Sequence, residues 1–231
     1  WESVARKLAH EIKNPLTPIQ LTIDNIRSKY LVSLDEANKK KLNNNLEMII
    51  NQIKQIENLV NEFSDFARMP KPLVKKNNLI EIIKTNLNLL KKIDPKINIE
   101  FNLIHQNELI IDCDYEQISR TFFNLVKNSI ESIQEKLQKT SNINKIINIE
   151  ILDRSDYITL NIIDDGIGFP TNNAKDLIKP YFTTKQKGTG LGLSIVNKII
   201  NDHNGSIKFL NYKDGAKIEI LLPKNNGNWN I

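Results

Sequence analysis

The sequence predicts a pair of long helices followed by an α/β domain. Apolar residues between positions 42 and 63 recur at alternating spacings of four and three, which is the heptad pattern of packed helices. Beyond Pro70 and Pro72, strand-like and helical segments alternate, which is typical of helices layered on one face of a sheet. The 231 residues are enough for one or two domains with cores of their own.

The first helix is predicted over about 1–30, and the polar stretch "SLDEANKKK" separates it from a second helix over about 40–67. Two long helices joined by a short loop form an antiparallel hairpin. One hairpin cannot cover its second apolar stripe, so we expect a homodimer that closes a four-helix bundle. We assign this domain to 1–68 and a linker to 69–73, because its two prolines cannot continue a helix.

The α/β domain is predicted over 74–223, and the Asn-rich end, 224–231, is expected to be a frayed tail. Its helical segments begin at "NLIEII", "YEQISR" and "GLGLSI". The strand segments are "INIEFNL", "ELIID", "KIINIEIL", "YITLNIID", "SIKFL" and "KIEILLP". No internal repeat is visible.

Composition and charge argue against several classes of protein. The formal net charge is +5, but the basic residues are scattered without a stripe or arm, which argues against nucleic-acid binding. The one cysteine, Cys113, excludes an internal disulfide framework and fits a reducing, cytoplasmic compartment. No apolar run approaches the ~20 residues that span a bilayer. Because the chain opens at Trp1 without a methionine, we expect a soluble fragment of a longer, membrane-anchored protein.

The segment "IIDDGIGFP" joins a hydrophobic strand to a glycine turn. Asp164 and Asp165 end the strand, and Gly166 and Gly168 follow. Glycines allow the backbone to turn and to approach a flat ligand closely. A carboxylate at a strand end can accept a hydrogen bond from the amino group of adenine. Taken alone, the segment is also consistent with a plain surface turn.

A second glycine segment, "KGTGLGLSIV", leads directly into an apolar helix. Backbone N–H groups at a helix start, with Gly188, Gly190 and Gly192 before it, can bind phosphates. The loop "IKPYFTTKQKG" before it is long enough for a lid, from which Lys185 and Lys187 could reach phosphates. A flexible glycine loop with solvated lysines is the alternative.

A third cluster, "NLVKNSIESI", places Asn124 and Asn128 four residues apart on one helical face. Amide oxygens are hard, neutral ligands that suit a Mg²⁺ ion which also keeps waters and phosphates. Two polar residues on a solvated helix face are the alternative.

These segments occur in an order that resembles bacterial two-component sensor histidine kinases from His10 to about Pro223. "HEIKNP" is similar to the phospho-acceptor box, "NLVKNSIES" to the asparagine box and "DDGIGF" to the adenine-binding glycine box. "PYFTTK" and "GTGLGL" are similar to the lid box and the second glycine box. The longer strings "WESVARKLAHEIKNPLTPIQL" and "EFSDFARMPKP" resemble the nitrogen-regulation sensor family called NtrY.

The resemblance implies an ATP-binding α/β sandwich of the Bergerat (GHKL) type. It implies that Asp164 contacts adenine, that Asn128 contacts Mg²⁺ and that Asn124 lies near the phosphates. It further implies a lid that moves on nucleotide binding, a cognate response regulator whose receiver domain accepts the phosphoryl group, and a phosphatase activity toward that regulator.

His10 is then expected to be the phospho-acceptor. An imidazole nitrogen is available as a nucleophile at cytoplasmic pH. Glu11 could hydrogen-bond the other ring nitrogen and stabilise its developing charge. Asn14 lies one helical turn further on the same face, and Pro15 below it is expected to loosen the helix.

The chain departs from the family pattern at one place, and its two other histidines are assigned no catalytic role. Many kinases of this class carry a basic and an aromatic residue where this chain has Glu131 and Ser132, so no nucleotide contact is assigned there. His203 is expected to be a structural, cationic residue at a helix end, and His105 to lie in a polar turn.

Two other functions are consistent with parts of the sequence. One is a GHKL-type ATPase without phosphohistidine chemistry. The other is a non-catalytic dimerisation and docking module whose ATP site has decayed.

Overall fold

The computed structural model describes residues 2–30, 34–103, 108–140, 143–171, 173–185 and 188–225. The chain divides into two compact units. The first comprises Trp1–Pro70 with Lys185–Leu191, and the second comprises Lys71–Thr184 with Gly192–Ile231. His105 and Lys187, for which roles were considered above, lie outside the described residues.

The first unit contains two long helices, α1 (Glu2–Tyr30) and α2 (Glu36–Arg68), which pack along each other as the predicted hairpin. Asp35 caps α2, since its side chain accepts a hydrogen bond from the Asn38 N–H at 3.0 Å. Arg27 in α1 reaches across to Glu47 in α2, with Nη2 and Oε1 3.1 Å apart. The pair is exposed and therefore contributes little to stability.

The core of the hairpin is formed by apolar residues that are spaced seven positions apart on each helix. Leu16 and Ile23 of α1 pack with Leu46 and Ile53 of α2. This row differs from the predicted seam, because part of that seam faces outward. A second apolar stripe is exposed and comprises Leu8, Ile12, Ile19, Ile49 and Ile56. Each helix therefore presents two apolar stripes, of which the hairpin itself covers one.

Helix α1 continues through two internal prolines, Pro15 and Pro18. Each proline lacks the N–H that would bond the carbonyl four residues earlier. The backbone carbonyls that lose this donor are those of Glu11 and Asn14. The turn after His10 therefore has fewer backbone hydrogen bonds than an ordinary helix, although its helical path is kept.

The second unit is an α/β domain. Its strands are β1 (Lys75–Asn78), β2 (Asn98–Leu103), β3 (Ile110–Cys113), β4 (Ile146–Asp153), β5 (Tyr157–Asp164), β6 (Ser206–Tyr212) and β7 (Gly215–Pro223). Its helices are α3 (Leu79–Leu90), α4 (Tyr115–Lys139), the single turn α5 (Ala174–Leu177) and α6 (Gly192–Asp202).

The main sheet has five strands in the order β2-β4-β5-β7-β6. Strands β4, β5, β7 and β6 pair antiparallel along it, while β2 pairs parallel to β4. The segment "ELIID" does not join this sheet. Its strand, β3, pairs instead with β1, a strand that the sequence analysis did not predict.

Helix α4 is the centre of the helical layer. It contacts α3 and α6 on its two sides and packs against β4 and β5. Its buried side chains include Phe122, Leu125 and Ile130, none of them more than 1% exposed. The α/β fold class predicted above is therefore confirmed. Among the described residues, no helix combines the length and apolar character needed to cross a membrane.

The ends of the second unit differ from expectation in one respect. Lys224, assigned to a frayed tail, is fixed by two backbone hydrogen bonds, from its N–H to Asp156 and from the Asp112 N–H to its carbonyl. Residues 226–231 of the predicted tail lie outside the described part of the chain. At the other end, the Leu73 N–H donates to the side chain of Asp114 at 2.7 Å.

His203 is buried and neutral, and the expectation of a cationic residue was wrong. Its Nε2 accepts a hydrogen bond from the Asp114 N–H at 3.0 Å. Its Nδ1 lies 2.8 Å from the carbonyl of Ile199. A carbonyl can only accept, so the proton sits on Nδ1 and Nε2 is the acceptor. The ring joins the end of α6 to the start of α4.

Two adjacent leucines of α3 test this packing. Leu90 is fully buried, whereas Leu89 is 55% exposed. Leu90→Ala should lower the free energy of unfolding by about 2–5 kcal/mol, because it leaves a cavity. Leu89→Ala, the same chemical change one residue earlier, should stay within about 0.5 kcal/mol. Urea unfolding followed by circular dichroism measures both, and equal losses would contradict the assigned core.

Candidate functional site

Asp164 is the centre of the candidate site in the second unit. It is the last residue of β5 and is only 4% exposed. Its Oδ2 accepts the hydroxyl hydrogen bond of Ser129 at 2.8 Å, and its Oδ1 accepts from the Gly166 N–H at 2.9 Å. A carboxylate oxygen can accept more than one hydrogen bond, so both oxygens keep the capacity for a further donor.

Burial raises the pKa of Asp164 above its usual value, because desolvation disfavours the charged form. The hydrogen bonds from Ser129 and from the backbone of Gly166 and Ala216 act in the opposite direction. The charge of the neighbouring Asp165 adds to the increase. The ionised form of Asp164 therefore depends on the donors that surround it.

The loop after Asp164 is held by a polar stripe of α4. Ser129, Ser132 and Lys136 are spaced by three and four residues, so they share one face of the helix. The Ser132 hydroxyl accepts from the Ile167 N–H at 3.0 Å. The Lys136 ammonium donates to the carbonyl of Asp165 at 2.9 Å and to that of Asp214 at 2.6 Å. One helix face thus contacts Asp164 at the end of β5 and both Asp165 and Ile167 in the loop that follows.

Close packing explains the two glycines of this loop. A Cβ on Gly166 would lie 2.1 Å from Ser132 Oγ and 2.7 Å from Ser132 Cβ. Gly168 has a φ of 76°, a value that L side chains rarely adopt. Beyond it, the Asn211 side chain accepts from the Phe169 N–H at 2.6 Å. The glycines predicted from the sequence therefore lie where a side chain would displace the loop.

Asn124 and Asn128 lie one turn apart on α4, and both are half-buried. Asn128 directly precedes Ser129, so the candidate metal residue lies in the same helical turn as the serine that donates to Asp164. No cluster of three or more His, Cys, Asp or Glu side chains that could hold a metal occurs among the described residues. This donor set fits Mg²⁺ that is bound with nucleotide phosphates, because that ion often takes only one or two protein ligands.

The residues of the second glycine segment are divided between the two units. Lys185, Gly188 and Gly190 group with the first unit, where the Thr189 hydroxyl donates to Glu62 of α2. Gly190 has a φ of 71°. Gly192 belongs to the second unit and begins α6. The lid segment before them contains the single turn α5 and the exposed aromatic side chains Tyr181 and Phe182.

His10, Glu11 and Asn14 lie on α1 in the first unit, and all three side chains are exposed. Ala9 beside them is buried at 6% exposure. The imidazole therefore sits on the outer face of the helix, where a second molecule or domain can reach it. That exposure is what a phospho-acceptor requires.

Two family models match the chain. One, described as "His Kinase A (phospho-acceptor) domain", matches residues 1–72. The other, described as "Histidine kinase-, DNA gyrase B-, and HSP90-like ATPase", matches residues 113–226. A putative sensor histidine kinase NtrY-like protein of Rickettsia felis is 36% identical over 95% of this chain. The chain belongs to the sensor histidine kinase family.

Other relatives agree with that assignment. Nitrogen regulation protein NtrY of Azorhizobium caulinodans is 34% identical over 96% of this chain. The chain spans 35% of the length of the Rickettsia relative and 28% of the Azorhizobium one, so it corresponds to about a third of the curated relatives it matches.

Solved structures of histidine kinases share the fold. Histidine kinase ThkA in complex with the response regulator protein TrrA is 26% identical, with a TM-score of 0.67 over 97% of this chain and 62% of that chain. The catalytic domain of ThkA is 29% identical, with a TM-score of 0.56 over 66% of this chain and 97% of that chain. The predicted family and fold type are confirmed by these matches.

The polar stripe of α4 and Asn211 are what the sequence analysis missed. From the sequence, Ser132 is only a departure from the kinase pattern, and Ser129, Lys136 and Asn211 carry no assigned role. A signal was present, because the serines interrupt the apolar residues Leu125, Val126, Ile130 and Ile133 of a buried helix. Serine is so common on helices that this signal became meaningful only when its partners were known.

Two glycines provide a matched test of the loop. Gly166→Ala should lower the free energy of unfolding of the kinase chain by about 1–3 kcal/mol, because the new Cβ overlaps Ser132. Gly192→Ala should change it by less than about 0.5 kcal/mol, since nothing lies within 4 Å of the added Cβ. Chemical denaturation of both variants measures the difference. Equal stability of the two variants would show that the loop is not packed as described.

Proposed function

We propose that this chain is the core of a sensor histidine kinase that phosphorylates His10 from Mg-ATP. In this proposal the phosphoryl group then passes to an aspartate in the receiver domain of a cognate response regulator. The observation that carries the proposal is the buried Asp164 at the end of β5, backed by glycines, together with the exposed His10 on α1. Adenine recognition by Asp164 and phospho-acceptance by His10 are thereby assigned to separate units of one chain.

The second unit is proposed to bind the nucleotide. Asp164 accepts a hydrogen bond from the 6-amino group of adenine, beside the close-packed Gly166 and Gly168. Asn124 contacts the phosphates, and Asn128 contacts Mg²⁺, which supplies positive charge against the phosphates when it is bound. Gly192, at the start of α6 in the same unit, is proposed to contact the phosphates through its backbone N–H. Phosphate contacts by Lys185, Gly188 and Gly190, which group with the first unit, stay predictions from the sequence.

In the chemical step, one nitrogen of the neutral His10 ring attacks the γ-phosphorus. The N–P bond forms while the bond from the γ-phosphorus to the bridging oxygen breaks, and its electron pair leaves with ADP. Glu11 accepts a hydrogen bond from the other ring nitrogen and so stabilises the positive charge that the ring acquires. The His10 side chain is exposed, as this attack requires.

Asn14 is proposed to assist a second reaction on the same face. Its amide could orient a water that hydrolyses the phosphoaspartate of the regulator, which would make the chain a phosphatase as well as a kinase. The histidine kinase ThkA has been solved with a response regulator protein, which supports a regulator as the partner.

Dimerisation is proposed through the exposed stripe of the hairpin, which contains Leu8, Ile12, Ile19, Ile49 and Ile56. Apolar stripes of this kind are covered in four-helix bundles, and a second copy supplies two more helices. Membrane anchorage of a full-length protein, with this part in the cytoplasm, stays a prediction.

The test is a labelling experiment with ATP that carries a radioactive γ-phosphate. The wild-type chain should acquire an acid-labile label, and His10→Gln should acquire none. His10→Gln should bind ATP as the wild type does, because His10 is exposed and belongs to the other unit. Asp164→Asn should bind ATP at least about tenfold more weakly, since a charge-assisted hydrogen bond is lost.

The alternatives give different results in the same experiment. ATP binding without a label on the wild type would indicate a GHKL-type ATPase that lacks phosphohistidine chemistry. Absence of ATP binding would indicate a docking module. A label that persists in His10→Gln would overturn the assignment of the phospho-acceptor.

A further inference from the structure

Ser129 and Asp164 form a buried polar pair between α4 and β5. Ser129 is 2% exposed and Asp164 is 4% exposed. The serine hydroxyl donates to Oδ2 of the carboxylate at 2.8 Å, while the Gly166 N–H donates to Oδ1. We infer that Ser129 is a positioning residue for adenine recognition, which keeps Asp164 ionised and oriented toward the 6-amino group. The inference rests on the proposed function, in which Asp164 contacts adenine.

Burial of the Asp164 charge costs free energy. A carboxylate removed from water becomes protonated unless donors stabilise its ionised form. Burial is the largest influence on Asp164 and raises its pKa, while the Ser129 hydrogen bond is the largest influence that lowers it. Loss of the hydroxyl therefore raises the pKa of Asp164 further.

The other groups around Asp164 do not replace this donor. Its sheet neighbours Ile147 on β4 and Ala216 on β7 carry no charged side chain. Asp165 in the loop is negative and opposes ionisation. The Lys136 ammonium on α4 is held by two backbone carbonyls. Among the described neighbours, Ser129 is the side chain that donates directly to this carboxylate.

The hydrogen bonds to Asp164 also fix the orientation of its carboxylate. Ser129 and Gly166 donate to different oxygens, and the backbone of Ala216 adds a further hydrogen bond, so the carboxylate is held between α4, the glycine turn and β7. Each oxygen keeps acceptor capacity for the amino group of adenine. Without the serine hydroxyl, Oδ2 would lose its side-chain donor from α4, and the carboxylate would be less restrained about χ2, a torsion with broad preferences.

The protonation state of Asp164 also affects whether adenine or guanine is preferred. An ionised carboxylate can only accept, which suits the amino group of adenine and repels the carbonyl oxygen of guanine. A protonated carboxyl can donate to that carbonyl oxygen. By keeping Asp164 ionised, Ser129 favours ATP over GTP.

The experiment compares Ser129→Ala with Ser119→Ala in the 231-residue chain. Ser119 lies on the same helix, and its hydroxyl contacts Asn86 rather than the loop. ATP affinity is measured between pH ~5 and ~8 with the nucleotide and Mg²⁺, alongside GTP. The carboxyl carbon of Asp164 is titrated by NMR in the nucleotide-free chain, which gives a readout that does not depend on ATP binding.

Ser129→Ala should bind ATP about tenfold more weakly than the wild type. Because the carboxylate must be ionised, ATP binding is lost as pH falls through its pKa, and this loss should begin at higher pH in Ser129→Ala. The NMR titration should move in the same direction, and the preference for ATP over GTP should fall. Ser119→Ala should match the wild type in every measurement.

Provided that the wild type binds ATP, the inference is overturned if Ser129→Ala leaves the titration of Asp164 or the pH profile of ATP binding unchanged. Failure of the wild type to bind ATP would instead overturn the proposed function. If Ser129→Ala does not fold, Ser129→Cys replaces it, because a thiol fills the site and donates weakly. The cysteine variant should shift both profiles in the same direction by a smaller amount, and unchanged profiles would again contradict the inference.

In the Asp164→Asn background, Ser129→Ala should no longer alter the pH profile, since the ionisable group is gone. A shift as large as in the wild-type background would show that Ser129 acts through another group, which would also overturn the inference.

Discussion

The burial of one carboxylate at the end of β5 is the constraint on which the nucleotide unit depends. A charge at that depth is costly, and it is tolerated only where donors surround it. The register of β5 with β4 and β7 brings Asp164 to the sheet end, and α4 supplies the donor and the supports for the loop. Helix α4, the glycine turn and strands β4, β5 and β7 thus all help to place this side chain or its hydrogen-bond donors.

In the hairpin, α1 both packs against α2 and exposes His10, the side chain that is proposed to react. A repeat of seven residues allows this, since Leu16 and Ile23 fall on one stripe while His10 lies on another face. The prolines of α1 weaken the backbone near His10 without ending the helix. The hairpin is therefore regular where it packs and less regular beside the residue proposed to react.

Much of the fold could be predicted from the sequence, because many of its helices, strands and turns are specified by the residues within them. Asp164, Gly166 and Gly168 follow an apolar strand, and that local pattern is sufficient to predict a strand end and a tight turn. Strand β1 could not be predicted in this way. Its four residues, "KKNN", have little tendency to form a strand, and they become one by pairing with β3.

Contacts between side chains that are distant in sequence could not be predicted either. The pairing of Ser129 with Asp164 spans 35 positions, and that of Asp114 with His203 spans 89. No local pattern reveals either. The division of the hairpin stripes was also hidden, because Ile49 and Ile53 have the same chemistry and only packing shows that one of them is exposed.

The most direct measurement of the central claim replaces ATP by an analogue whose purine carries hydrogen in place of the 6-amino group. If Asp164 accepts from that group, the analogue should bind the wild-type chain at least about tenfold more weakly than ATP does, since the interaction is charge-assisted. The difference should shrink in Asp164→Asn. Equal affinity of the wild-type chain for ATP and for the analogue would contradict the account.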